Sequence, residues 1–299
     1  MSLTLMYLTN DPAVARIAEA SGVDWIFVDL EIIGKHDRQG HLDTVISGHT
    51  IADVRAVRAV VSKSQLLVRT NPIHDGSAAE IEAVIEAGAD IVMLPFFTRC
   101  QEVAAFVEMV AGRAKVCLLV ETPQAAESLD RMLCVEGIDY VHIGLNDLHL
   151  GYGRQFMFEL LADGTVERLC RRLRQAGVTY GFGGIARLGM GELPAEAIVA
   201  EHYRLGSTMA ILSRSFCNLN TESDLGRVAD LFRLEVAKIR DYEASLEHRE
   251  ASFFENNRLR VVRAVWRICE ERTAYASALD RVVSLDRARR QTELGAVRV

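Results

Sequence analysis

Short apolar runs alternate with amphipathic, helix-like segments over residues 1–217. Runs of this kind are typical of buried parallel strands. Asp11 followed by Pro12 marks the start of a helix, and Gly88 marks the end of the helix predicted over 77–87. The predicted strands cover residues 2–8, 25–30, 65–70, 90–94, 115–120, 139–143, 179–182 and 208–212.

Eight strand–helix units predict an α/β fold in which eight parallel strands close into a (β/α)8 barrel. An open doubly wound sheet would fit fewer strands. From about residue 221 the strand signals vanish, and apolar residues recur at helical spacing over 225–246 and again over 259–268. We therefore predict a barrel domain over 1–220 and a C-terminal α-helical extension over 221–299. The apolar faces of the extension pack either on the same barrel or on a neighbouring subunit, which would make the protein a homo-oligomer.

The composition narrows the classes of protein to which the chain belongs. Hydrophobic residues make up 49% and charged residues 25%, as in soluble globular proteins, and the net charge of −7 argues against nucleic-acid binding. No apolar run approaches a membrane span, and the N-terminus is unlike a signal peptide. The six cysteines are scattered without a C-x-x-C pair, which favours buried thiols. We predict a cytoplasmic protein without a nucleic-acid or membrane partner.

Two carboxylates follow neighbouring strands at the point where each strand ends. Glu121 comes directly after the fifth predicted strand, and Asp147 comes just after the sixth. The carboxyl ends of barrel strands meet at the mouth, where such folds place their chemistry. Oxygen ligands of this kind suit a hard divalent cation. The alternative is that each acid only caps the helix that follows.

Three more charged residues end the second and third predicted strands. Asp29 and Glu31 are two residues apart and so share one face of the chain, and Arg69 closes the next strand. Arginine at this position can grip a substrate carboxylate through two hydrogen bonds, or it can form a structural ion pair with Asp29 or Glu31. Four acids in one mouth would repel one another, so cations must offset them.

Two further segments follow strand ends. The polar stretch 34–44 contains His36 and His41, which are candidates for an acid–base group, although loop histidines are often merely solvated. The glycines of 181–184 either bring backbone amides to an anion such as phosphate or allow close packing at the strand end.

The motifs LVET (119–122) and IGLNDL (143–148), with Gly151 and Gly153 beyond, resemble the HpcH/HpaI aldolase and citrate lyase β-subunit family. VDLE (28–31) and VRTN (68–71) fall in the order and spacing of that family. The resemblance covers about residues 1–217. It implies a TIM barrel that holds a divalent metal and makes or breaks a carbon–carbon bond.

The resemblance also implies roles for particular residues. Glu121 and Asp147 would bind Mg²⁺ or Mn²⁺, and Arg69 would hold the carboxylate of a small 2-oxo acid. The resulting hypothesis is a class II aldolase that cleaves or forms a 4-hydroxy-2-oxo acid through a metal-stabilised pyruvate-type enolate. In that hypothesis the catalytic residues are Arg69, Asp29 and either His36 or His41, and the substrate contacts are Arg69, Glu31, Gly144 and Asn146.

Two positions depart from the pattern of the aldolase branch. Ile32 stands where that branch has a histidine directly after D-x-E, and Leu119 stands where it has a glutamine. The first departure leaves the catalytic base open, and the second suggests a different substrate. The alternatives are a lyase for acyl-CoA or phosphorylated substrates, of the citrate lyase β type, and a non-catalytic barrel that binds a ligand.

Overall fold

Eight parallel strands close into a barrel in the computed structural model, which describes residues 2–34, 48–219, 222 and 224–296, with side chains as far as 275. Each strand pairs with the next one along the chain, and β8 closes the barrel by pairing with β1. The predicted (β/α)8 barrel is therefore confirmed. The strands are β1 (Thr4–Leu8), β2 (Trp25–Asp29), β3 (Gln65–Arg69), β4 (Ile91–Leu94), β5 (Lys115–Val120), β6 (Tyr140–Ile143), β7 (Thr179–Ile185) and β8 (Met209–Leu212).

Helices follow the strands and cover the outside of the barrel. Capping side chains fix several of their first turns: Asp11 accepts hydrogen bonds from the backbone N–H groups of Ala13 and Val14, and Thr122 accepts one from that of Ala125. The helices are α1 (Pro12–Ala20), α2 (Ile51–Arg58), α3 (Ser77–Glu86), α4 (Cys100–Val110), α5 (Pro123–Glu127), α6 (Leu129–Met132), α7 (Leu145–Gly151), α8 (Glu159–Ala162), α9 (Thr165–Gln175), α10 (Ala195–Leu205), α11 (Leu225–Leu246) and α12 (Ala251–Ala296).

Alternation along each strand separates two apolar layers. On β5, Cys117 and Leu119 belong to a cluster inside the barrel, whereas Leu118 and Val120 pack outward under the helices. The interior cluster includes Phe27, Met93 and Met209. The next inward position after Leu119 is Glu121, so the same alternation that builds the core also carries a carboxylate to the mouth.

The seventh strand is longer than predicted. It continues past 182 to Ile185, and its register with β8 shifts between Gly181 and Gly184. A Cβ atom at Gly181 would collide with the backbone carbonyl oxygen of Met209 on β8, and one at Gly183 would lie 2.7 Å from the Leu145 side chain. Close packing between neighbouring elements therefore accounts for these two glycines.

The C-terminal helices pack on the barrel of the same chain. Helix α11 contacts α1 and α10, and α12 contacts α8 and α10. Phe232 and Ile239 of α11 and Val265 of α12 are buried by these contacts. Among the residues that the structure describes, no helix combines the length and the apolar character that crossing a bilayer requires.

The six cysteines form no disulfide. Cys117, Cys170 and Cys217 are buried, as expected, but the expectation is wrong for Cys134, which is exposed. Burial raises the pKa of the Cys170 thiol to about 12.

Candidate active site

Arg69 and Asp29 form a bidentate ion pair at the mouth of the barrel. They are register partners on β3 and β2, and Nε and Nη2 of Arg69 each donate to one carboxylate oxygen of Asp29 at 2.8 Å. Glu31 lies 3.3 Å from the same Nη2, and Asp29 accepts a further hydrogen bond from the backbone N–H of Glu31. The side chains of Asp29 and Glu31 are each 1% exposed and that of Arg69 is 12% exposed. The ion pair with Asp29, which the sequence analysis gave as one of two alternatives for Arg69, is therefore present.

The surroundings of Arg69 keep it charged. Burial alone would lower the pKa of the guanidinium, but the neighbouring carboxylates of Asp29, Glu31 and Glu121 outweigh burial and raise it. The Phe27 ring centroid lies 5.6 Å from Cζ, a distance at which the face of the ring attracts a cation. Within the described residues the hydrogen bonds of Arg69 use Nε and Nη2, so Nη1 is the donor that the pair with Asp29 leaves for a ligand.

Glu121 and Asp147 line one cavity of about 410 Å³ at the ends of β5 and β6. Glu121 is 3% exposed and Asp147 is 8% exposed. Asp147 lies in the first turn of α7, where the backbone N–H groups favour a negative charge. The cavity brings together the two acids that the sequence predicted as metal ligands. Its lining consists of Phe96, Thr98, Glu121, Thr122, Pro123, Gln124, Asp147, Leu150 and Gly151.

Two neighbours fix the position of the Glu121 carboxylate. The backbone N–H of Phe96 donates to Oε1 at 3.1 Å, and Phe96 has a φ of 48°, in the left-handed region that non-glycine residues seldom adopt. On the other side, a Cβ atom at Gly144 would lie 2.8 Å from the Glu121 Cβ and 3.0 Å from Oε2. The strained backbone of Phe96 and the absence of a side chain at Gly144 thus both help to position the Glu121 carboxylate.

The donor set fits a hard divalent cation with an open coordination sphere. Glu121 and Asp147 supply carboxylate oxygens, which Mg²⁺ and Mn²⁺ favour. No group of three histidine, cysteine, aspartate or glutamate side chains suited to a metal occurs in the described parts of the chain. Mg²⁺ usually takes several of its ligands from water and substrate.

The other predicted site residues have different settings. Gly144 packs against Glu121, whereas the side chain of Asn146 is exposed at the start of α7. Ile32 is 58% exposed, and Asn71 holds its segment by accepting hydrogen bonds from the backbone N–H groups of Ile32 and Ile33. His36 and His41 lie outside the described residues.

Sequence reasoning missed Phe96 and His142 near the mouth, and it counted His49 only among the weaker candidates. Phe96 was not considered, although it follows a strand end. His49 accepts a hydrogen bond through Nδ1 from the backbone N–H of Asp29 at 3.1 Å, which places its ring beside the end of β2. His142 sits within the predicted sixth strand, where it was counted as part of an apolar run. The period of two along that strand was the signal that would have placed it inside the barrel.

A family model described as HpcH/HpaI aldolase/citrate lyase matches residues 3–181. This chain belongs to the HpcH/HpaI aldolase/citrate lyase family. The resemblance inferred from the strand-end motifs is thereby confirmed, and the protein is a carbon–carbon lyase of a family that depends on divalent metal.

The chain is also similar to curated aldolases in sequence and to solved structures in fold. Over 216 residues the chain is 31% identical to a 2-keto-3-deoxy-L-rhamnonate aldolase of Shigella dysenteriae. The match covers 60% of this chain and 74% of the relative. The Escherichia coli K12 protein of the same name is 30% identical over 220 residues, with the same coverage. An HpcH/HpaI aldolase from Desulfitobacterium hafniense shares the fold at 18% identity with a TM-score of 0.57, over 71% of this chain and 86% of that one. Citrate synthase SbnG shares it at 17% identity with a TM-score of 0.56, over 77% and 94%.

Proposed function

We propose that this protein is a class II aldolase that cleaves or forms a 4-hydroxy-2-oxo acid with Mg²⁺ or Mn²⁺ bound by Glu121 and Asp147. The observation that carries the proposal is the shared cavity of these two carboxylates at the mouth of a family barrel, with Arg69 in electrostatic contact with Glu121. The names of the curated relatives support a sugar-derived oxo acid as the class of substrate.

In this proposal the chain positions the oxo acid between a cation and a guanidinium. Bound metal supplies Lewis-acid stabilisation of the negative charge that develops on the 2-oxo oxygen. Arg69 binds the substrate carboxylate through Nη1, and Asp29 holds the guanidinium plane in place through its two hydrogen bonds. Glu31 adds a second negative charge beside Nη2, which keeps the clamp protonated at every physiological pH.

The acid–base group in this proposal is His36 or His41. Ile32 cannot transfer a proton, and both histidines follow it on the segment that leaves the end of β2. Separate His36→Ala and His41→Ala variants distinguish them, because only loss of the true base lowers kcat while oxo-acid affinity stays constant.

The assembly and location of the protein belong to the same proposal. We place a barrel domain over 1–220 and an extension over 221–299 that contributes to a homo-oligomer. The exposed Trp266 and Tyr275 on α12 support the second point. The free cysteines support a reducing cytoplasm.

A panel of 4-hydroxy-2-oxo acids, assayed with Mg²⁺ or Mn²⁺ for release of pyruvate, tests the proposal. The expected result is metal-dependent release by the wild type and none by Asp147→Asn. Asp130→Asn is the matched control, because Asp130 is an exposed acid that pairs with Arg172 away from the cavity. Absence of release across the panel by the wild type would contradict the proposed reaction.

A further inference from the structure

His142 is a polar side chain placed in the apolar interior of the barrel. Its register partners are Leu119 on β5 and Gly181 on β7, and Gly181 in turn pairs with Met209. Leu119 and Met209 belong to the interior cluster, whereas Val141 and Ile143, which flank His142, pack outward. The imidazole therefore points into the barrel and is 1% exposed.

The ring lies one layer beneath the charged residues of the mouth. Two residues further along β5 and β6 come Glu121 and Gly144, and a Cβ atom at Gly144 would lie 3.0 Å from Oε2 of Glu121 and 3.1 Å from Cδ1 of Leu119, the register partner of His142. Arg69 is close enough to influence the charge of the ring: burial first, and Arg69 in addition, lower the pKa of His142 to about 4, against a hydrogen bond to Gly183 that raises it. His142 is thus neutral at physiological pH.

The hydrogen bonding of His142 is incomplete on one side. Nε2 lies 3.0 Å from the carbonyl oxygen of Gly183, so in the neutral ring the proton sits on Nε2 and is donated there. Nδ1 is then a bare acceptor, and it is buried without a hydrogen-bond partner among the residues that the structure describes. A buried acceptor without a donor is costly, and an apolar side chain in this layer would avoid that cost. Such a group in a native protein has a reason, such as a functional role or a bound water molecule.

We propose that His142 is a specificity-determining residue whose Nδ1 accepts a hydrogen bond from an O–H group in the occupied site. This inference rests on the proposed function, because the oxo acid is the part of the substrate held in the layer directly above the ring. The donor is either a hydroxyl on the oxo-acid half, next to its 2-oxo carbon, or a water molecule trapped beneath it. A ligand with a methyl group in place of that hydroxyl, such as pyruvate, offers Nδ1 no hydrogen-bond donor unless a water molecule lies between them.

Two substitutions of His142 test the roles of its two ring nitrogens separately. His142→Asn keeps an acceptor near the position of Nδ1, whereas His142→Gln keeps a donor near that of Nε2 for the Gly183 carbonyl. His202→Gln is the matched control. His202 is equally buried, with Nδ1 bonded to Ser207 and Nε2 unsatisfied, but it stacks on Phe182 outside the barrel wall.

The test is calorimetric titration of the Mg²⁺-loaded full-length protein with pyruvate and with hydroxypyruvate. The wild type, His142→Asn and His202→Gln are expected to bind hydroxypyruvate about three- to tenfold more tightly than pyruvate, and His142→Gln to lose that preference. If His142→Gln instead weakens both ligands equally while His142→Asn weakens neither, the donor is water and the role of Nδ1 stands.

Three results would overturn the inference. Equal binding by the wild type and both His142 variants makes Nδ1 irrelevant, and a loss confined to His142→Asn shows that only the Gly183 contact matters. A wild type that binds neither oxo acid contradicts the proposed function itself, and the inference fails with it.

If a variant does not fold, the wild-type crystal structure with hydroxypyruvate decides. An oxygen about 2.7–3.2 Å from Nδ1 supports the contact, and a bare Nδ1 contradicts it.

Discussion

Buried charges in two of the described regions, the outer wall and the mouth of the barrel, have different neighbours. On the outer wall, Glu243 accepts hydrogen bonds from the backbone N–H of Leu3 at 2.6 Å and from Arg240 at 2.7 Å. Arg240 also contacts Asp24, so the cluster ties α11 to the first two strands of the barrel. At the mouth, by contrast, Arg69 faces several acids at once.

The difference lies in the balance of charge and in access. On the wall the Glu243 carboxylate has donors that match it, so the cluster stabilises the fold. At the mouth Asp29, Glu31 and Glu121 lie beside Arg69, and Glu121 shares an open cavity with Asp147. A cation from solution relieves that repulsion. The same residue types therefore serve stability in one region and chemistry in the other.

The largest expected effect follows from Glu121→Gln. This change removes one negative ligand while keeping its shape, so we expect metal affinity to fall more than about 100-fold, beyond the range typical of losing a residue that only supports a ligand. Calorimetric titration with Mn²⁺ measures this. Glu82→Gln is the control, because Glu82 is an exposed acid that pairs with Arg113 outside the cavity. Unchanged Mn²⁺ affinity in Glu121→Gln would remove the distinction between mouth and wall.

Glu243→Ala should lower the stability of the fold rather than the affinity for metal. It leaves the backbone N–H of Leu3 without an acceptor while Arg240 keeps Asp24, so the free energy of unfolding should fall by about 1–3 kcal/mol. Denaturant unfolding measures the loss. Mn²⁺ affinity of the folded variant should match that of the wild type, and a weaker metal site would show that the wall cluster is not purely structural.

Arg69→Ala should weaken pyruvate binding by about 2–4 kcal/mol, as for truncation of one partner in a buried charge pair. Arg69→Lys keeps the charge but not the planar fork, so it should recover only part of that loss. Titration of the metal-loaded variants with pyruvate measures both effects. Equal affinity in wild type and Arg69→Ala would show that the guanidinium only balances Asp29 and does not bind substrate.

The buried histidines predict an acid limit to stability. Burial lowers the pKa of His142 to about 4 and that of His202 to about 3, below the value of about 6.5 in an unfolded chain. Between these values the unfolded chain binds protons that the folded protein does not. The free energy of unfolding should therefore decrease as the pH drops below about 6.5, by up to about 1.4 kcal/mol per pH unit for each histidine. Unfolding curves from pH 7 to 4.5 measure the slope, and the double variant His142→Gln/His202→Gln should show a shallower one.

The sequence predicted the barrel and the two acids of the cavity because both depend on local patterns. Apolar runs locate the strands, and a polar residue after a run locates the mouth. The bidentate pairing of Arg69 with Asp29 could not be predicted in the same way, since it requires the register between β2 and β3. The end of β7 was misplaced because the glycines of 181–184 interrupt the apolar run, although glycine within a strand often marks a bulge such as the register shift found here. The identity of the base stays a prediction, because His36 and His41 lie outside the part of the chain that the structure describes.

Anomalous diffraction from crystals grown with Mn²⁺ and pyruvate locates the metal directly. We expect one manganese peak in the cavity, bonded by carboxylate oxygens of both Glu121 and Asp147, with the pyruvate carboxylate on Arg69. A peak bonded by only one of these acids, or manganese bound elsewhere while the cavity holds none, would contradict this expectation.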